Sequence, residues 1–165
     1  MTLNLLGGTF SQVAYVTTDF DAGLAELGSR LGLARFLELR DIDFMVRPDG
    51  ATAKCHVGLA MSGGLQIELI EPRGGVDDIY RGALPDAGFA LRFHHVAQAL
   101  PSLEALAAMR GQAERSGLAI AVDGTAPQGM TYFYADARAL LGHYVEYTWS
   151  TPEFLAGMSQ AIPAN

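Results

Sequence analysis

Apolar and polar positions alternate with period two through Phe10 to Thr17 (FSQVAYVT), which predicts a strand. Val13 and Tyr15 fall on one face of it, Gln12 and Ala14 on the other. From Phe20 to about Arg30 the period lengthens. Leu24, Leu27 and Leu31 then form one helical stripe, with Thr18 and Asp19 as candidate caps. Arg30 suits the negative end of the helix dipole, and Gly32 is a good residue just past the end. Three strands follow at Ala34 to Val46, Thr52 to Met61 and Leu65 to Glu71, separated by the turn-forming RPDG and SGG. The second half runs in the same order. Leu91 to Ala99 reads as a strand, and Ser102 caps a helix carrying Leu103, Leu106 and Met109 that ends at Gly117. Strands lie near Leu118 to Val122, Met130 to Asp136 and His143 to Trp149, and Glu153 to Met158 forms a short terminal helix.

Strand, helix and three strands thus occur twice, and local matches support an internal repeat. QVAYVTTDFDA from Gln12 aligns with HVAQALPSLEA from His95, an offset of 83. RLGLA from Arg30 aligns with RSGLA from Arg115 at an offset of 85, so about two residues are added around the second helix. The class expected from this order of elements is α+β, strand, helix and three strands in each half. Residues 1–9 form an N-terminal tail, 10–72 the first module, 73–90 a linker, 91–150 the second module and 151–165 a C-terminal tail. The linker holds glycines and prolines, with DDIYR (Asp77 to Arg81) as one turn; a connection this long is uncommon and often functional.

Composition narrows the classes. The 165 residues are 50% hydrophobic and 18% charged, enough for a core and too apolar for disorder. A net charge of -7 argues against a nucleic-acid partner. One cysteine, Cys55, rules out an internal disulfide and fits a reducing compartment, so the expected location is cytoplasmic. The start, MTLNLLGGTFSQ, does not read as a secretory signal, and no apolar run is long enough for a membrane helix.

Side-chain parity then sorts the first and last strands of each half. Val13, Tyr15, Ile67, Leu69, Val96, Val145 and Tyr147 share an apolar parity that should face the two helices. Gln12, Gln66, Glu68, His95, Tyr144 and Glu146 carry the opposite parity. Water alone would explain any one such strand. Glu68 and Glu146, however, sit in apolar contexts (LQIELIEP, HYVEYTW) where a carboxylate is rarely buried without a cation or donor. Two carboxylates, an imidazole and an amide oxygen can chelate one divalent ion: zinc first, with manganese, iron, cobalt or nickel as alternatives.

His94 and His143 have the opposite parity to the glutamates, and His56 reads as structural; a bulge in a strand would move these assignments. Cys55 reads as a small core residue. No nucleophile elbow, P-loop or HExxH motif is present. Gly7-Gly8-Thr9 precedes a strand, so it is not a dinucleotide fingerprint.

SQVAYVTTDFDAGLAEL, LQIELIEP, FHHVAQAL and GHYVEYT, in this order and spacing, resemble the vicinal oxygen chelate superfamily of glyoxalases, bleomycin-resistance proteins and extradiol dioxygenases. The resemblance spans about Phe10 to Trp149. It implies an α+β fold of two βαβββ modules whose curved mixed sheets form an open barrel around a central cleft and a metal, with one ligand from the first and last strand of each module. Those positions fall on Gln12, Glu68, His95 and Glu146. The set is similar to that of zinc-type glyoxalase I. It departs from the extradiol dioxygenases, which use two histidines and a glutamate for iron. A looser likeness is to uncharacterised glyoxalase-like and methylmalonyl-CoA-epimerase-like members.

The implied activity is a metal-dependent isomerase, epimerase or lyase acting beside a carbonyl through a metal-stabilised enolate. Glu146 is the first choice for the base and Glu68 the second. The substrate is a small molecule with carbonyl or carboxylate oxygens. The alternative is a metal-free small-molecule binder of the bleomycin-resistance kind, with Tyr15, Tyr132, Tyr134, Tyr144 and Trp149 as stacking residues. A homodimer is implied by the resemblance alone.

Overall fold

The structure is a computed structural model that describes residues 4–5, 7–126 and 128–165, apart from the side chains of 44–46. Part of the expected N-terminal tail therefore lies outside the described residues. The first half contains β1 (Thr9–Thr17), α1 (Phe20–Leu31), β2 (Leu37–Val46), β3 (Thr52–Ser62) and β4 (Leu65–Gly75). A helical turn, α2 (Asp78–Arg81), leads into β5 (Leu91–Ala99), α3 (Leu103–Arg115), β6 (Ile120–Ala126) and β7 (Met130–Asp136). A second turn, α4 (Arg138–Leu141), precedes β8 (Tyr144–Ser150) and α5 (Pro152–Ala161).

Local chemistry sets the helix ends. The Asp19 carboxylate accepts from the Ala22 N–H, and the Ser102 hydroxyl accepts from the Ala105 N–H, so both main helices carry the caps that their sequence predicts. Gly32 closes α1 at a φ of 69°, a left-handed conformation that glycine adopts without strain. Leu27, Leu106 and Met109 are buried as expected, but each stripe gives up one of its expected leucines at one end and extends a turn the other way. Phe20, Gly23 and Leu27 are buried on α1 while Leu31 is 44% exposed. Leu106, Met109 and Ala113 are buried on α3 while Leu103 is 46% exposed. The stripe is chosen by where the sheet approaches. A Cβ on Gly23 would lie 2.9 Å from a Leu69 methyl, so this glycine marks the closest approach of α1.

The eight strands run β1-β4-β3-β2-β6-β7-β8-β5 around a curled sheet. In each module the first strand pairs in parallel with the last: β1 with β4, and β5 with β8. β1 and β5 join the modules antiparallel. At the other seam β2 and β6 meet through one residue pair, Val46 and Thr125, and this narrow contact closes the ring that the sequence led one to expect open. β6 runs further than its sequence predicts. Asp123, Gly124 and Thr125 look like a turn but pair with Phe133, Tyr132 and Thr131.

Apolar side chains collect in three places. Ile67 and Leu69 pack with Phe20 and Leu27 under α1. Val145, Tyr147 and Phe133 pack with Leu106 and Met109 under α3. The third group lines the barrel interior and includes Cys55, Val57, Ile70, Tyr132, Tyr134 and Tyr144. Burial of Cys55 pushes its thiol up to about 12, which fits an unreactive core residue. Ile79 and Tyr80 of α2 belong to this interior group, so the segment between the modules supplies part of the barrel core. Ile162, just after α5, belongs to it too. No helix among the described residues is long and apolar enough to cross a membrane.

The last residue ties the C-terminal segment to the first module. The Asn165 side chain accepts from the Ala34 and Arg35 N–H groups and donates to the Arg35 carbonyl. Each such bond contributes roughly 0.5–1.5 kcal/mol. All three bonds are exposed, so Asn165→Ala should lower stability toward the low end of their sum, about 1.5–3 kcal/mol, read by chemical denaturation, without changing the sheet's circular dichroism.

Candidate functional site

Register brings the two modules' polar positions to one place. On the β1–β5 ladder Gln12 lies opposite Ala97 and Ala14 opposite His95. On the parallel ladders Ala14 pairs with Glu68, and Ala97 pairs with Glu146. The arrangement repeats itself: each first strand carries a donor two residues before a small alanine, and that alanine's neighbour on the last strand is a glutamate. All four polar groups thus point into the barrel, and the alanines leave them room.

They are almost fully withdrawn from water. Relative exposure is 8% for Gln12, 5% for Glu68, 0% for His95 and 5% for Glu146. His95 Nε2 lies 3.4 Å from a Glu146 oxygen and 3.6 Å from a Glu68 oxygen. Gln12 hydrogen-bonds the Glu68 carboxylate, and the Tyr134 hydroxyl bonds Glu146. Tyr134 Oη is also 3.4 Å from His95 Nε2 and 3.5 Å from Tyr80 Oη.

Burial dominates the electrostatics. It raises Glu146 to about 8, with the Tyr134 hydrogen bond opposing the shift. It pushes Glu68 well above the ordinary carboxylate range, and repulsion from Glu146 pushes the same way, against the Gln12 bond. Burial holds both His94 and His95 down at about 3, so both imidazoles are neutral near pH 7. The influences acting on Glu68 and Glu146 include no lysine or arginine.

The donor chemistry suits a divalent ion. Ligand atoms bonded at ~2.1 Å in a tetrahedron stand ~3.4 Å apart, which is the spacing from His95 to each carboxylate. The donors are gathered without forming a finished shell: among the described residues, no group of three or more His, Cys, Asp and Glu side chains stands arranged to hold an ion.

His94 corrects the parity argument. Strand alternation would turn it away from His95, yet its Nδ1 lies 2.9 Å from His95 Nδ1 and it is buried. The cause is a β-bulge. Ala14 pairs with His95 and Tyr15 with Phe93, so His94 is an extra residue on β5. Its ring packs on Tyr80 and Tyr144 inside the barrel. His143 stays outside, against Phe93. His56 accepts from the Asp41 N–H and packs on Phe20, a structural role. Of the five candidate stacking residues, Tyr132, Tyr134 and Tyr144 line the interior. Tyr15 packs beneath α1 and Trp149 beneath α3, so neither reaches the site.

No protein-family model matches the sequence, and no curated protein matches it. Solved structures do. A hypothetical protein, BH1468, from Bacillus halodurans superposes with a TM-score of 0.62 at 16% identity, over 88% of this chain and 96% of that one. Methylmalonyl-CoA epimerase from Mycobacterium tuberculosis superposes at 0.57 with 15% identity, over 94% and 96%. The fold is that of the vicinal oxygen chelate proteins. A variant of Streptomyces coelicolor methylmalonyl-CoA epimerase in complex with 2-nitronate-propionyl-CoA is a further structural match. It superposes at 0.54 with 15% identity, over 87% of this chain and 98% of that one.

Proposed function

We propose that this chain is a metal-dependent epimerase, isomerase or lyase that moves a proton on the carbon beside a carbonyl. The convergence of Gln12, Glu68, His95 and Glu146 at one buried point, with two carboxylates and no lysine or arginine among the described residues that act on them, carries this reading. Among the three reaction types, the epimerase neighbours favour epimerisation, and the complex of one of them makes an acyl-CoA thioester the first substrate class to test.

Gln12, Glu68, His95 and Glu146 would hold the ion, zinc first, through an amide oxygen, two carboxylates and an imidazole nitrogen. When bound, a divalent cation stabilises the negative charge that develops on substrate oxygens as the adjacent C–H is lost. Glu146 is the first candidate for the base. Burial to a pKa of about 8 makes its carboxylate a stronger base than one in water, and Tyr134 fixes its orientation. Glu68 is the second candidate. Inverting a centre requires a proton returned on the face opposite its removal, so two carboxylates from opposite modules suit epimerisation better than one.

The test is uptake of solvent deuterium at the carbon next to the thioester of methylmalonyl-CoA, with and without chelator. Purified protein should carry about one divalent ion per chain, and dipicolinate should abolish exchange until Zn²⁺ or Mn²⁺ is restored. Full exchange in excess chelator, with no residual metal, would overturn the proposal. A second reading, a metal-free binder, is favoured by the buried Tyr132 hydroxyl, which has no hydrogen-bond partner and stands ready for a ligand. It predicts tight ligand binding with no metal and no turnover. A homodimer is part of the proposal and is checked by sedimentation.

A further inference from the structure

His94 and the carbonyl of Ile79 form a chain behind His95 whose hydrogens can be placed one at a time. His94 Nε2 lies 2.9 Å from the Ile79 carbonyl oxygen. A carbonyl only accepts, so this nitrogen carries a hydrogen. A neutral imidazole carries only one, which leaves His94 Nδ1 bare. His95 Nδ1 lies 2.9 Å from it, so the single hydrogen between the two rings belongs to His95. His95 Nε2 is then bare as well, and it is this nitrogen that faces Glu146, Glu68 and the Tyr134 hydroxyl.

We infer that His94 and the Ile79 carbonyl are a positioning relay that holds His95 in the tautomer whose Nε2 lone pair faces the two glutamates. The opposite arrangement would need a doubly protonated His94, donating to both Ile79 and His95. The surroundings of His94 do not support that charge. Among the described residues its hydrogen-bond and ring contacts are the rings of Tyr80, Tyr134, Tyr144 and His95 and one carbonyl, with no carboxylate among them. A buried imidazolium there would lack a counter-charge.

The relay also gives the segment between the modules a task. Ile79 belongs to α2, and its neighbour Tyr80 stacks on His94 and bonds Tyr134. The same short turn therefore orients both groups that touch His95 from behind and beside. A nitrogen with a free lone pair, held in place by a partner on its other nitrogen, is what a metal-binding histidine requires. That consequence rests on the metal reading proposed above; the tautomer itself does not.

The experiment is nitrogen NMR of histidine-labelled, metal-stripped protein, followed by Zn²⁺ titration against a competing chelator. In the wild type His95 Nε2 should show the shift of an unprotonated ring nitrogen and Nδ1 that of a protonated one. His94→Phe should lose this fixed tautomer and bind Zn²⁺ ~10–100-fold more weakly. His94→Gln should recover most of the affinity, because its amide can donate to Ile79 and accept from His95. Melting curves show whether each variant folds; if His94→Phe does not, the wild-type shifts and His94→Gln carry the test. A protonated Nε2 on His95 in the wild type, or wild-type Zn²⁺ affinity in folded His94→Phe, would overturn the relay. A wild type that binds no Zn²⁺ ends the metal reading only, and the nitrogen shifts still decide the tautomer.

Discussion

Glu146→Gln is expected to lower turnover by ~10²–10⁴-fold and, at the same time, to make the metal-stripped protein more stable above neutral pH. The first effect follows from removing the carboxylate proposed to take the proton while keeping its shape. The second follows from burial. The Glu146 carboxyl ionises near 8 in the folded chain against an ordinary 4.5, so charging it in place works against folding. A neutral amide of the same size carries no such cost. Metal content must be measured beside both readouts, since Glu146 is also a proposed ligand and the loss counts as catalytic only when the ion is retained. Unchanged exchange in a metal-loaded Glu146→Gln protein would remove this residue from the mechanism.

The metal-stripped wild type should lose stability as pH rises from about 5 to about 8, and a divalent cation should restore it. Both glutamates have folded pKa values raised above 4.5, so between the unfolded and folded values the folded chain binds more protons than the unfolded one. Stability contributed by these groups is then full below the unfolded value and is lost as pH climbs through the folded value. For Glu146 alone, a rise from 4.5 to about 8 at 1.36 kcal/mol per unit sets an upper bound of about 5 kcal/mol. A cation that binds only the folded state, at a hundred times its Kd, adds ~2.7 kcal/mol, or ~5–11 °C in melting temperature for a chain of this length. The shift should shrink as pH falls, because protons compete for the same oxygens. Thermal melts across this range, with Zn²⁺ or with chelator, give the answer. Other acidic groups also titrate, so the decisive comparison is with Glu146→Gln, which should show a flatter profile. Identical profiles for the two proteins, with no response to Zn²⁺, would remove the basis of the site's electrostatics.

Much of the architecture was legible because it depends on short-range rules. Strand alternation is set by backbone geometry and holds wherever a strand runs without a bulge. It separated Ile67, Leu69, Val145 and Tyr147, which lie under the helices, from Gln12, Glu68, His95 and Glu146, which point inward. Caps are equally local, and Asp19 and Ser102 stand where their sequence context puts them. The helix stripes were less legible. Leu31 and Leu103 are as apolar as the residues that pack, and only the position of the sheet decides that Phe20 and Ala113 are buried instead. Tyr15 and Trp149 show the same limit from the other side, since an aromatic ring in a strand serves a helix interface as well as a pocket.

The sequence by itself determined the duplicated order of elements, the inward parity of four donors and the acidic character of the chain, all of which follow from residue type and near-neighbour spacing. Tertiary structure alone decided that His94 joins His95 inside the barrel, that Ile79 and Tyr80 reach back to hold it, and that the two glutamates lose their water. A bulge exists only between paired strands, and burial is a property of what surrounds a side chain, so no reading along the chain can contain either one.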